Sequence, residues 1–209
     1  MLNFQKVLYL GAHPDDEFGC SGSLLRFIEE GKEIFFAVFS FCEESVPAGF
    51  DKNILRIELD NALKILGIRK ENIFKYDFRV RHFPARRQDI LEELIVLKKK
   101  IDPDLVLLPA LSDLHQDHHT IATEGLRAFK NCSILGFELP MNTLTFGHAF
   151  FIKLEEKHLN KKIESLRCYK SQLNRQYTDE EFVRGLARVR GTQINEYAAE
   201  AFEVLRFTI

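Results

Sequence analysis

Short apolar runs that alternate with helix-spaced amphipathic segments fill the first two thirds of the chain and leave few folds open. KVLYLGA (6–12), EIFFAVFSF (33–41), NIFKYDF (72–78), DLVLLPA (104–110) and SILGFEL (133–139) read as buried strands. They are too continuously apolar for a sheet with one wet face. Between them lie GSLLRFIEEGK (22–32), NILRIELDNALKILGI (53–68), ARRQDILEELIVLKKKI (85–101) and HTIATEGLRAFKN (119–131). These carry helical spacing and end at Gly31, at Gly67 and before Pro103, as helices do. In the second of them, Ile54, Ile57, Ala62, Ile65 and Leu66 are the expected inward face. Strand–helix alternation predicts an α/β fold with a mostly parallel sheet and helices on both faces. The remainder is less regular. HAFFIKL (148–154) reads as a strand, EEKHLNKKIESLRCYKSQ (155–172) as a helix, and TQINEYAAEAFEVLRF (192–207) as a last helix and strand. No repeat or low-complexity linker interrupts the pattern, so residues 1–209 are expected to form one domain.

In such sheets ligands bind outside the carboxyl ends of the strands. Two polar clusters fall there. His13, Pro14, Asp15, Asp16 and Glu17 follow the first strand, and Asp113, His115, Asp117, His118 and His119 follow the fourth. If those strands are neighbours, the clusters meet over one sheet edge. Acidic residues after Pro14 also suit the start of a helix, which accounts for the carboxylates without chemistry. That reading leaves His13 unexplained. It also leaves unexplained why three of the chain's seven histidines lie within positions 115–119.

A catalytic zinc site accounts for both clusters. It needs three N and O ligands and one open position for water. His13 and Asp16 can supply two from one turn, and His118 the third. Asp15, beside a ligand yet free of the metal, is the candidate to take a proton from the water. His115 can face a substrate carbonyl as an imidazolium, with Asp117 holding its ring charged. Iron(II) or another divalent metal can replace zinc at such a donor set. His119 is expected to be a bystander, since a fourth ligand would close the site.

AHPDDE (12–17) followed by HQDH (115–118) resembles the LmbE-like, or PIG-L, family of zinc-dependent N-acetylglucosaminyl deacetylases. The resemblance extends to ALKILGI after Arg56 and Glu58, to YKSQ (169–172) and to RGTQINEYAAEAF (190–202). It implies a Rossmann-like fold, with His13, Asp16 and His118 on the metal, Asp15 as general base and His115 assisting a tetrahedral intermediate. The implied reaction hydrolyses the acetamide of an amino sugar to acetate and a free amine. Some members place an aromatic hydroxyl two residues before the second motif's first histidine, where this chain has Asp113.

Arg79, Arg81, Arg86 and Arg87, after the third strand, can clamp an anionic substrate group or form a solvated face. The sequence predicts substrate contacts from Arg86 and Arg87, and from Arg56 and Glu138. The net charge of −2, with both signs mixed, gives no drive toward nucleic acid. The 19 phenylalanines spread over strands read as core rather than as a base-stacking platform. Four scattered cysteines and the lack of a signal-like or membrane-spanning run predict a cytoplasmic protein, and a homo-oligomer is permitted. The competing reading is a non-catalytic, metal-containing protein of the same fold that binds a sugar or nucleotide. Its nucleotide variant rests on GCSGSLLRF (19–27), which lacks the full glycine pattern of dinucleotide loops.

Overall fold

A computed structural model of the chain describes residues 4–208. Seven strands among them form one sheet: β1 (Lys6–Gly11), β2 (Glu33–Val38), β3 (Ile73–Lys75), β4 (Leu105–Pro109), β5 (Ser133–Phe137), β6 (His148–Lys153) and β7 (Ala199–Arg206). Their spatial order is β3-β2-β1-β4-β5-β7-β6. The first five run parallel, and β7 enters antiparallel between β5 and β6. The sheet is therefore mostly parallel, as its apolar runs require.

Strand β1 shows why helices are needed on both faces. Val7 and Tyr9 point into one buried cluster, Leu8 and Leu10 into the other, and all four are fully buried. On the Val7 side pack α1 (Ser21–Glu29), α2 (Ile54–Leu66), α5 (Glu156–Leu166) and α6 (Glu180–Thr192), through residues such as Leu24, Leu59, Ile163 and Val183. On the Leu8 side pack α3 (Arg87–Ile101) and α4 (Gln116–Ala128), through Leu94, Leu97 and Ile121.

Four local expectations are corrected. The inward face of α2 is Leu55, Leu59, Ala62, Leu63 and Leu66, while Ile57 is exposed. These positions form an uninterrupted row at helical spacing, and that row outcompetes the isoleucines. Helix α4 starts three residues earlier than expected, because His115 caps it with a ring nitrogen instead of a hydroxyl or carboxylate. The expected strand 72–78 pairs only over Ile73–Lys75. Finally, the last helix lies at Glu180–Thr192 and not after Thr192. Asp179 caps it, accepting hydrogen bonds from the backbone N–H of Glu181 and Phe182 at 2.8 and 3.2 Å.

The order of strands positions the site. The chain runs outward from β1 through β2 to β3, then crosses back to place β4 on the other side of β1. Loops leaving β1 and β4 therefore part in opposite directions and leave a crevice between them, at the carboxyl edge. Both polar clusters lie there. Among the described residues no helix is long and apolar enough to cross a membrane.

Candidate active site

Asp15 has φ 77°, a left-handed conformation that Asp and Asn tolerate better than other residues with a side chain. The turn sends successive carboxylates in different directions. Asp16 folds back and its Oδ2 accepts a hydrogen bond from the His13 N–H at 2.8 Å. Asp15 is left half-buried on the wall of a cavity of about 230 Å³. His13, Asp16, His115 and His118 line the same cavity.

His13, Asp16 and His118 converge. His13 Nδ1 lies 3.0 Å from His118 Nε2, and His118 Nε2 lies 3.2 Å from Asp16 Oδ1. His13 Nδ1 is 3.9 Å from Asp16 Oδ2. Metal–ligand bonds of about 2.0–2.1 Å put tetrahedral donors roughly 3.3 Å apart. The outer nitrogens are also accounted for. Asp117 Oδ2 sits 3.0 Å from His13 Nε2, and Asp113 Oδ2 sits 2.8 Å from His118 Nδ1. Each carboxylate accepts a hydrogen bond from a ring N–H, so in neutral rings the two inner nitrogens would present lone pairs to each other. Only a shared proton or a cation makes that contact favourable, and carboxylate-backed histidines are the usual arrangement at a metal. The donor set fits a divalent ion such as zinc.

His115 also brings a ring nitrogen within 4.8 Å of donors on His13 and His118. Its orientation differs from theirs. Its ring stacks on that of His118, with centroids 4.5 Å apart and planes at 24°, and its Nδ1 accepts the Asp117 N–H at 3.1 Å. That bond leaves the proton on Nε2. Burial, then the neighbouring His118 and His13 charges, push the imidazole below its ordinary value. The expectation that the Asp117 carboxylate supports the His115 ring is corrected: that carboxylate meets His13, and His115 receives only the Asp117 N–H. The Asp117 carboxylate turns to His13 because residues two apart on a helix face different sides.

Charge in the site follows from these contacts. Burial opposes the charged form of His118, but the Asp16 charge and the hydrogen bonds its ring donates to Asp113 and Asp16 outweigh it and push the group up to about 10. For Asp16 burial again opposes charge, and the two histidines hold the carboxyl low. Burial and then the Asp16 charge push Asp15 well above the usual carboxylate range. A bound cation beside it would act in the opposite direction and favour the ionised carboxylate. Glu17 is fully buried behind the site, where Tyr169 Oη donates to it at 2.6 Å and burial pushes it up to about 7.

Two cavity residues escaped the sequence reading. Tyr177 Oη donates to Asp15 Oδ2 at 2.5 Å, and Arg175 lines the wall beside it. Both sit on an irregular strap between α5 and α6. Buried Glu58 ties the strap to α2 by accepting from the Ser171 N–H at 2.9 Å and the Ser171 hydroxyl at 2.6 Å. YKSQ is thus an anchor: Tyr169 and Ser171 are fastened to carboxylates on two other elements. Its signal in the sequence was a pair of hydroxyls, without their distant partners.

The predicted substrate contacts lie elsewhere. Glu138 is buried in a two-pronged ion pair with Arg190, one contact being 2.9 Å. Arg87 pairs with Glu124 at 2.8 Å, and Arg86 with Asp89. The Arg56 guanidinium lies 3.7 Å from the centroid of the Phe41 ring. None of the four lines the cavity. The Arg79–Arg87 loop contributes through its backbone: the Arg81 and Phe83 N–H groups donate to Asp117 at 2.6 and 3.2 Å. As expected, His119 is exposed and outside the cavity.

A family model described as "GlcNAc-PI de-N-acetylase", PIG-L, matches residues 8–129, a span that holds both polar clusters. The chain belongs to the PIG-L family. Within the wider set of similar proteins, the "uncharacterized deacetylase YaiS" of Escherichia coli K12 is 29% identical over 172 residues, 79% of this chain and 90% of that protein. Among solved structures, the N,N'-diacetylchitobiose deacetylase of Pyrococcus horikoshii superposes with a TM-score of 0.80 at 19% identity, covering 97% of this chain and 84% of that one. The 4-carboxy-2-hydroxymuconate hydratase GalB of Pseudomonas putida KT2440 superposes with a TM-score of 0.79 at 19% identity, covering 98% of both chains. At these identities the structural likeness is one of fold, and the PIG-L fold carries more than one chemistry.

Proposed function

We propose that this PIG-L protein is a metal-dependent N-deacetylase that removes the acetyl group from an amino sugar, releasing acetate and a free amine. The observation that carries the reading is the convergence of His13 Nδ1, Asp16 Oδ1 and His118 Nε2 beside a carboxylate, Asp15, that no histidine claims. A non-catalytic metal site has no use for that carboxylate. A cavity of about 230 Å³ is smaller than the roughly 300–1,000 Å³ of pockets for drug-sized ligands and suits one sugar ring. The free thiols, with no disulfide among the described residues, accord with a cytoplasmic enzyme acting on a small molecule.

His13, Asp16 and His118 would hold the ion, zinc or iron(II), with Asp117 and Asp113 fixing the two rings from behind. A divalent ion there supplies acidity to a water and polarises the acetamide carbonyl. Asp15 takes the proton of the attacking water as its oxygen bonds to the acetamide carbon. Tyr177 occupies Asp15 Oδ2, which leaves Oδ1 for that proton. The carbonyl oxygen gains the electron pair, and the His115 Nε2–H donates to it. Asp15 then returns the proton to the nitrogen as the C–N bond breaks.

The test is acetate release from a panel of N-acetyl sugars, neutral, phosphorylated, nucleotide-linked and lipid-linked, with and without added zinc. Zinc-stimulated acetate release supports the reading. One metal per chain, with sugar binding and no turnover on any member, replaces it with the binding-protein alternative.

A further inference from the structure

The cavity has one basic side chain besides its histidines, and it is not one of those the arginine-rich loop offers. Arg79 and Arg81 face Glu44, Arg86 faces Asp89 and Arg87 faces Glu124. Their charges are already compensated, and none of the four lines the cavity. Arg175 differs on both counts. It lines the cavity, and among the described residues its guanidinium has no carboxylate, carbonyl or aromatic partner.

Its placement is set by the backbone. The Arg175 N–H donates to Gln172 O at 2.9 Å, and the Arg175 carbonyl accepts from the Thr178 N–H at 3.1 Å and the Thr178 hydroxyl at 2.8 Å. On either side the strap is fastened, by Ser171 to Glu58 and by Tyr177 to Asp15. The backbone that carries Arg175 is pinned at both ends, two residues from the phenol that touches Asp15, and the side chain is exposed at the rim of the cavity. A planar fork of donors at that rim matches an anionic oxygen group.

We propose that Arg175 is a specificity-determining residue for an anionic oxygen group, phosphate or carboxylate, borne by the amino sugar away from its acetamide. This rests on the deacetylase reading for the identity of the sugar. The anion contact is made in substrate and product alike, so it governs binding more than the rate of the chemical step.

Calorimetric binding of a product analogue tests it without turnover. The zinc-loaded protein is titrated with glucosamine 1-phosphate, with glucosaminuronate and with neutral methyl glucosaminide. Arg175→Ala, Arg175→Lys and, as a control, Arg86→Ala are titrated in parallel. A charge-assisted hydrogen bond at a solvated mouth is worth about a tenfold change in Kd. The anionic ligands are expected to bind about tenfold more tightly than the neutral one. Arg175→Ala should erase that preference, Arg175→Lys keep part of it and Arg86→Ala leave it whole. Preference for the phosphate alone or for the carboxylate alone identifies which group the site takes. Equal binding of charged and neutral ligands, or an anion preference that survives in Arg175→Ala, overturns the assignment. Neither result depends on acetate release, so failure of the deacetylase reading shows separately, as absence of turnover on the sugar panel.

Discussion

The Tyr177 hydroxyl stands 2.5 Å from Asp15 Oδ2, joining two residues 162 positions apart. Among the described residues it is the one side-chain hydrogen bond of Asp15. Tyr177→Phe removes the donor and keeps the ring's packing near Phe18, whose centroid is 5.9 Å away. Hydrogen bonds to charged groups are worth about 1.5–3 kcal/mol, so kcat is expected to fall about 10- to 100-fold. Metal content and Tm should stay near wild type. Unchanged kcat would mean that the bond positions nothing the reaction uses.

Asp15→Asn separates chemistry from backbone. Asn also tolerates the left-handed turn at φ 77°, so the fold of the His13–Asp16 hook is retained. The expected outcome is a protein with full metal and normal melting that has lost about 10²–10⁴-fold in kcat. Metal analysis, thermal melting and kcat on one preparation decide it. Loss of metal would make Asp15 a ligand and exchange its role with that of Asp16. Asp15→Ala is the poorer test, because it adds a strained alanine to the missing carboxylate.

Asp113→Asn and Asp117→Asn probe the carboxylates behind the rings. Losing such support costs about 10–100-fold in metal affinity, whereas His13→Ala or His118→Ala should abolish stoichiometric binding. Competition titration with a zinc chelator reads both. Wild-type affinity in both aspartate variants would show that the rings are held in place without them.

Glu138→Gln addresses the ion pair with Arg190, whose side chain is only 14% exposed. Leaving that guanidinium without its counter-charge is expected to cost about 3–5 kcal/mol. For a chain of this size that lowers Tm by roughly 6–20 °C. KM should not change, because Glu138 lies outside the cavity lining. A raised KM with normal Tm would restore the substrate contact expected from its position at the end of β5.

The sheet, and the meeting of His13, Asp16 and His118 at its carboxyl edge, are legible in the sequence because both are local patterns placed by one rule. Continuous apolar runs announce buried strands, and ligands collect where such strands end. What stayed hidden depends on partners far away in sequence. Asp117 was assigned to its neighbour His115, although helix geometry aims it at His13, 104 positions away. The sequence leaves the arginines of residues 79–87 open between an anion clamp and a solvated face, because their carboxylate partners cannot be seen from the loop itself. Helix α6 is hard to read in the sequence because Gly185, Gly191 and three arginines break its apolar stripe, leaving Val183, Ala187 and Gly191 as its buried residues. Arg175 and Tyr177 sit at a single 3-10 turn, Gln176–Thr178, too short to leave a periodic signal, on a strap anchored by Ser171 on Glu58.

His13 and His118 come from either side of a crossover and are 105 residues apart in the chain. A metal held between them is therefore a clip that closes a very long loop, the case in which removing disorder from the unfolded chain has most effect. It would bind the folded molecule and find no preformed site in the unfolded one, so folding and metal supply are linked by mass action. Under the proposed function, a cell short of the ion would lose the protein's stability along with its chemistry.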